Sequence, residues 1–108
     1  MHIDIRGIHV DVTDKIRDYL DKKMHKLEFA KDVIIDLLIT LSKEKSCFKI
    51  EATINFRWGN TAHIGYDSFD VLEGIDGFID KLETKIKKEK DKIQEHLGKH
   101  HNGQIHSS

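Results

Sequence analysis

The sequence predicts an α+β fold with the element order β-α-β-β-β-α: a four-stranded sheet with two parallel helices on one face. Three observations carry this. Residues 48–57, FKIEATINFR, alternate strictly, with Phe48, Ile50, Ala52, Ile54 and Phe56 on one side and Lys49, Glu51, Thr53, Asn55 and Arg57 on the other. That is the pattern of a sheet buried on one face and wet on the other. Two stretches, 14–29 and 69–97, instead repeat their apolar residues at the helical period. Trp58-Gly59-Asn60 lies between two alternating runs and reads as a tight hairpin turn.

Taken in order, residues 2–8 form a short strand with Ile3 and Ile5 on one side. Thr13 is a good N-cap for the helix at 14–29, whose core stripe holds Ile16, Leu20 and Leu27. Residues 33–42 form the second strand, with Ile35, Leu37, Ile39 and Leu41 pointing inward. The third strand is 48–57, and the fourth is 61–66 with Ala62, Ile64 and Tyr66 inward. Asp67 or Ser68 is expected to cap the last helix, and Gly98 to stop it. The expected division is one domain over 1–98 and a disordered polar tail over 99–108. The βαβ start makes strands 1 and 2 parallel with a right-handed crossover. The expected core joins Ile16, Leu20, Ile35, Leu37, Ile39, Ile50, Ala52, Ile54, Ile75, Ile79 and Leu82.

Composition bounds the function. A chain of 108 residues suits a single core. Lys+Arg 18 against Asp+Glu 19 leaves a net charge of −1, so any electrostatic role must come from local segregation of charge. One cysteine, Cys47, excludes an internal disulfide and fits a reducing compartment. The N-terminus has no signal-peptide pattern, and the longest apolar run, IIDLLITL, is too short to cross a bilayer. The chain reads as cytoplasmic, with no membrane partner.

Segregation is what the helices show. In 69–97, Leu72, Ile75, Ile79, Leu82, Ile86, Ile93 and Leu97 form one apolar stripe. Lys81, Lys85, Lys88 and Lys92 fall in a sector about 110° from it, and Glu73, Asp76, Asp80, Glu83, Asp91 and Glu95 fall on the other flank. The first helix repeats this layout with the same hand: Lys15, Lys22 and Lys26 on one flank, Asp14, Asp18, Asp21 and Glu28 on the other. Parallel helices of the same layout turn their lysine flanks the same way. The expectation is therefore one basic surface of seven lysines, fit for nucleic-acid phosphates. A solvated helix face is the plainer reading of the same pattern.

The order of elements and several motifs resemble the family of ribosome hibernation promoting factors and the related ribosome-associated inhibitor A. The motifs are the first strand ending in Gly7, VDVTDKIRDYLDKKMHKLE in the first helix, LSKEK after the second strand, EATINF in the third, and FDVLEGIDGFIDKLETKIKKEKDKI in the last helix. DGFIDKL followed by spaced lysines is the most specific of them, and the match covers residues 1–95. Val71-Leu72 departs from the family's usual Met-Tyr, so no tyrosine role is carried over to Leu72. The resemblance implies a fold similar to the double-stranded-RNA-binding domain with an extra first strand. It implies binding to the small ribosomal subunit and its rRNA in the channel used by messenger and transfer RNA, which blocks translation in stationary phase or stress. Length and a Gly, His, Asn and Ser tail point to the short form, which stabilises inactive ribosome dimers with a separate ribosome modulation factor.

The expected rRNA contacts are thus Lys81, Lys85, Lys88, Lys92, Lys22, Lys26 and Lys15, with Arg6 and Lys43 as further candidates on or beside the sheet. Trp58 could stack on a base, but packing against the sheet edge is the favoured reading. Asp70 reads as a capping residue. Gly74 and Gly77, within the last helix, suggest close packing. The eight histidines include His63 and a late group, yet no His or Cys pair on rigid structure has ligand spacing. Cys47 has no base beside it. No GxGxxG, P-loop, GxSxG or HExxH occurs. The chain is read as no enzyme, with no metal, cofactor or small-molecule substrate. A generic double-stranded-RNA-binding module acting away from the ribosome is the alternative, and a purely structural domain the third reading.

Overall fold

The computed structural model describes the backbone of residues 1–102 and the side chains of residues 1–93. Strand β1 is His2–Ile8, helix α1 Asp14–Lys23, β2 Ile34–Glu44, β3 Cys47–Phe56, β4 Thr61–Ser68 and helix α2 Val71–Asn102. The sheet order is β1-β2-β3-β4, with β1 parallel to β2 and the other pairs antiparallel. Both helices cover one face. Between helices and sheet lies a single core that takes in Ile16 and Leu20 from α1, Leu37, Ile39, Ile50 and Ile54 from the sheet, and Ile75, Phe78, Ile79, Leu82 and Ile86 from α2. The α+β architecture expected from the sequence is the one observed.

Four local expectations change. The helix expected over 14–29 is α-helical only to Lys23, and Met24–Ala30 forms a 3-10 helix. Met24, Leu27 and Ala30 are its inward residues, three apart, and Leu27 and Ala30 are fully buried. A spacing of three fits the 3-10 period, which keeps all three on the core where an α-helix would rotate them away. In β2, Ile34 is 0% exposed and Ile35 46%. Ile34 pairs with Phe56 while Asp36 pairs with Asn55, so a bulge at Ile35 shifts the alternation by one. The strand's first core residue is therefore Ile34, not Ile35. Asp70, also read as a capping residue, and not Asp67 or Ser68, caps α2: its carboxylate accepts from the Glu73 N–H at 3.0 Å. Ser68 braces that cap by accepting from the Asp70 N–H and donating to the Asp70 carbonyl. Finally, α2 runs through Gly98 to Asn102, since glycine permits a helix stop without imposing one. Residues 103–108 of the expected tail lie outside the described residues.

Two glycines have structural reasons. Gly59 turns the β3–β4 hairpin at φ 95°, where an L side chain would be strained. Gly77 lets the Tyr66 ring lie against α2, since a Cβ there would collide with the ring.

The helices run parallel, because their contacts advance together. The Tyr19 hydroxyl donates to Asp76 at 2.8 Å, the Lys23 ammonium lies 3.1 Å from the same carboxylate, and Lys26 lies 3.0 Å from Asp80. The Tyr19 hydrogen bond, then the Lys23 ammonium, hold the Asp76 carboxyl below the usual carboxylate range. The hydrogen bonds to Asp76 first, and its charge as a lesser cause, raise the Tyr19 and Lys23 values. A depressed carboxyl contributes stability above its unfolded pKa of about 3.9, and that contribution is lost as pH falls through the folded value.

Two measurements follow. In urea unfolding, Ile34→Ala is expected to cost about 2–5 kcal/mol, and Ile35→Ala no more than about 0.5 kcal/mol. Equal losses would contradict the bulge. Asp76→Asn is expected to lower the Tm at neutral pH, with a stability loss of no more than about 1 kcal/mol since the pair is half exposed. The gap to the wild type should close as pH drops below the ordinary aspartate range. A gap that widened in acid would refute the stabilising role of the Asp76 charge.

Candidate nucleic-acid interface

The apolar stripe of α2 sets the site. With Ile75, Ile79, Leu82 and Ile86 pressed on the sheet, the lysines about 110° away must emerge along one flank of the helix. That flank lies beside β4: the Lys81 ammonium donates to the Gly65 carbonyl of β4 at 2.7 Å. Lys85, Lys88 and Lys92 continue the row toward the C-terminal end. Lys88 has no hydrogen-bond or ion-pair partner among the described residues. Lys85 and Lys92 both reach Glu89, at 3.3 and 3.5 Å from its Oε2.

Glu89 is the residue that the sequence reading missed. It is 7% exposed and is the buried charged group of the core edge. On the helical wheel it falls between the apolar stripe and the lysine sector, four residues after Lys85 and three before Lys92. That spacing was a legible signal. Burial pushes its carboxyl up, but the Lys85 and Lys92 ammoniums outweigh this and leave it below the usual glutamate range.

The expected single surface of seven lysines does not form. Two parallel helices with the same charge layout set the lysine flank of one against the acidic flank of the other. Lys26 of the 3-10 helix is accordingly taken up by Asp80, and Lys23 of α1 by Asp76, so the acidic flank of α2 stands between the two lysine groups. Lys15 and Lys22 remain exposed, without partners among the described residues. Arg6 lies on the open sheet face, in register with Thr40, and its Nε is 2.9 Å from Asp4. Lys43, near the end of β2, places its ammonium 5.2 Å from the Phe48 ring centre. The structure therefore brings together Lys81, Lys85, Lys88 and Lys92, and leaves the other candidates dispersed.

The remaining readings are placed as follows. Trp58 stacks on Phe56 at 4.7 Å with the rings 7° from parallel, so it packs as the favoured reading had it. On the far flank of α2, Lys87 and Lys90 lie 5.6 and 5.5 Å from the Phe29 ring centre, and Lys90 donates to the Phe29 carbonyl. A concavity of 540 Å³ beside Lys81 is lined by Lys49, Glu51, Gly65, Tyr66 and Asp67 and mixes both signs of charge. His63 shares a hydrogen bond with Thr53, and Cys47 is half-buried. Among the described residues there is no group of three His, Cys, Asp or Glu that could hold a metal ion. No helix among them is long and apolar enough to cross a membrane.

Known proteins share both the sequence and the shape. The ribosome hibernation promoting factor of Escherichia coli strain K12 is 33% identical over 96 residues, which are 89% of this chain and all of that protein. The ribosome hibernation promoting factor of Pseudomonas putida is 34% identical over 94 residues, covering 87% of this chain and 91% of its own length. A ribosomal subunit interface protein from Coxiella burnetii superposes with a TM-score of 0.77 at 28% identity, over 84% of this chain and 99% of that one. The N-terminal domain of Thermus thermophilus Protein Y superposes with a TM-score of 0.70 at 28% identity, over 82% of this chain and 98% of that one. Residues 3–94, from β1 through most of α2, match the family described as Sigma 54 modulation protein / S30EA ribosomal protein, and the chain belongs to it.

Proposed function

We propose that this protein is a ribosome hibernation factor of the cytoplasm. It binds the small ribosomal subunit in the channel used by messenger and transfer RNA, blocks translation in stationary phase or stress, and stabilises inactive ribosome dimers together with a separate modulation factor. The relatives named ribosome hibernation promoting factor support the role. The observation that carries the contact is the α2 row. Lys81, Lys85, Lys88 and Lys92 occupy one flank of a rigid helix in a chain of net charge −1. Three of them are already held, Lys81 by a carbonyl of β4 and Lys85 and Lys92 by Glu89. Cations held in place lose less side-chain freedom on meeting rRNA phosphates, and each displaces counterions. Phosphate contacts of this kind position the protein without reading sequence. Occupation of the channel then excludes messenger and transfer RNA by volume, which needs no catalytic group.

A duplex-RNA module acting away from the ribosome would use the same lysines, and one pelleting experiment separates the two. Wild-type protein is expected to sediment with small subunits, to be displaced by messenger RNA with initiator transfer RNA, and to bind bare duplex RNA far more weakly. Equal affinity for bare duplex would favour the generic module. The Lys88→Glu/Lys92→Gln variant is expected to lose small-subunit affinity by about tenfold or more. Its salt slope should fall by about 0.7–0.9 for each phosphate contact removed. Lys31→Glu/Lys45→Gln makes the same charge change away from the row and is expected to bind nearly as the wild type. Equal losses in the two variants would show that the α2 row has no special part in binding.

A further inference from the structure

The one charged side chain buried among the described residues is a carboxylate in the middle of the α2 lysine row. Glu89 lowers the positive potential of the α2 row, and its burial adds a desolvation cost. An ordinary i,i+4 pair on a helix is exposed and serves solubility, but this carboxylate is only 9% exposed beneath its partners. Its contacts suggest another use. The Lys85 and Lys92 ammoniums, two helical turns apart along the backbone, converge on the same oxygen, Glu89 Oε2. They therefore stand within two contact lengths of each other. Both stay accessible, with side chains 35% and 69% exposed. Each ammonium has three N–H donors; Lys92 gives Glu89 one and Lys85 meets it as an ion pair, so each keeps at least two to offer outward. Lys88 lies between them in sequence and is exposed, without a partner among the described residues.

We propose that Glu89 is a positioning residue of the RNA contact: it gathers Lys85 and Lys92 into one two-cation seat for a single backbone phosphate, beside the free Lys88. This rests on the ribosome-binding reading above and deepens it. The seat trades attraction for geometry. A row of four loose lysines binds any polyanion, whereas a seat of fixed spacing favours an rRNA surface that presents a phosphate at the matching place.

The trade gives opposite signs for two ligands. Glu89→Gln keeps the shape of the side chain and removes its charge. Its affinity for bare duplex RNA is expected to equal or exceed that of the wild type, because the row gains net positive charge. Its affinity for small ribosomal subunits is expected to fall about tenfold, because the ammoniums are released from their common oxygen. If both affinities rose together, Glu89 would be a charge penalty and the proposal would be overturned. A thermal melt checks that the variant folds. If it does not, Lys85→Met, Lys92→Met and the double variant decide the matter with Glu89 intact. Removing either ammonium breaks a shared seat, so the double variant should lose little more than the worse single one. Fully additive losses would overturn the proposal. Failure of the wild type to bind small subunits would instead overturn the ribosome-binding reading, and this seat with it. A loss confined to Glu89→Gln leaves that reading standing.

Discussion

The packing of α2 on the sheet is the constraint from which the rest follows. Ile75, Phe78, Ile79, Leu82 and Ile86 are all at or near zero exposure, so the helix cannot rotate about its axis without uncovering several large side chains. Each fully buried side chain of this size contributes about 1.5–3 kcal/mol, far more than any surface ion pair. Burial therefore chooses the rotation, and every charge on α2 takes the direction left to it. The lysine flank goes to the β4 side, and the acidic flank goes to the side where the first helix lies. Gly77 belongs to the same constraint, because Tyr66 can close the β4 side of this packing only where α2 has no side chain.

The contact between the helices is a consequence of two copies of one charge layout. Like layouts on parallel helices bring opposite flanks together, just as identical asymmetric objects placed side by side meet left to right. Asp76 and Asp80 thus find Lys23 and Lys26, and Tyr19 adds a neutral donor to the first pair. These are half-exposed bonds of modest worth, and they orient the first helix more than they stabilise the core. Their second effect is on the surface. By engaging Lys23 and Lys26 they fill the acidic flank of α2 and leave its lysine row on the opposite flank.

A long helix carries side chains at constant rise, about 1.5 Å per residue, so cations in such a row keep a regular separation along its axis. The side-chain ends are not left to wander either, since carbonyl and carboxylate oxygens hold three of the four. The molecule is elongated, with extents of 52 × 23 × 21 Å.

Much of this was legible in the sequence because it depends on periods. Alternation in β3 and the helical stripe of α2 are local patterns that burial can satisfy in one way only, so strand and helix faces, the hairpin at Gly59 and the lysine row could all be read directly. Sequence also marked Trp58 for packing, and Gly74 and Gly77 for close approach. Glu89 escaped although its spacing to Lys85 and Lys92 was local, whereas the other main departures depended on neighbours distant in the chain. The bulge that exchanges Ile35 for Ile34 arises from pairing with Phe56 and Asn55. The change to a 3-10 helix after Lys23 arises from the need to keep Met24, Leu27 and Ala30 on a core supplied by other elements. Lys26 looked equivalent to Lys88 on the wheel, and only the side-by-side placement of two helices gave it Asp80 and left Lys88 without a described partner. Periodicity determines which face of an element is apolar. Which charged flank then meets another element, and which meets solvent, is decided by the packing of whole elements, a property no single stretch of sequence contains.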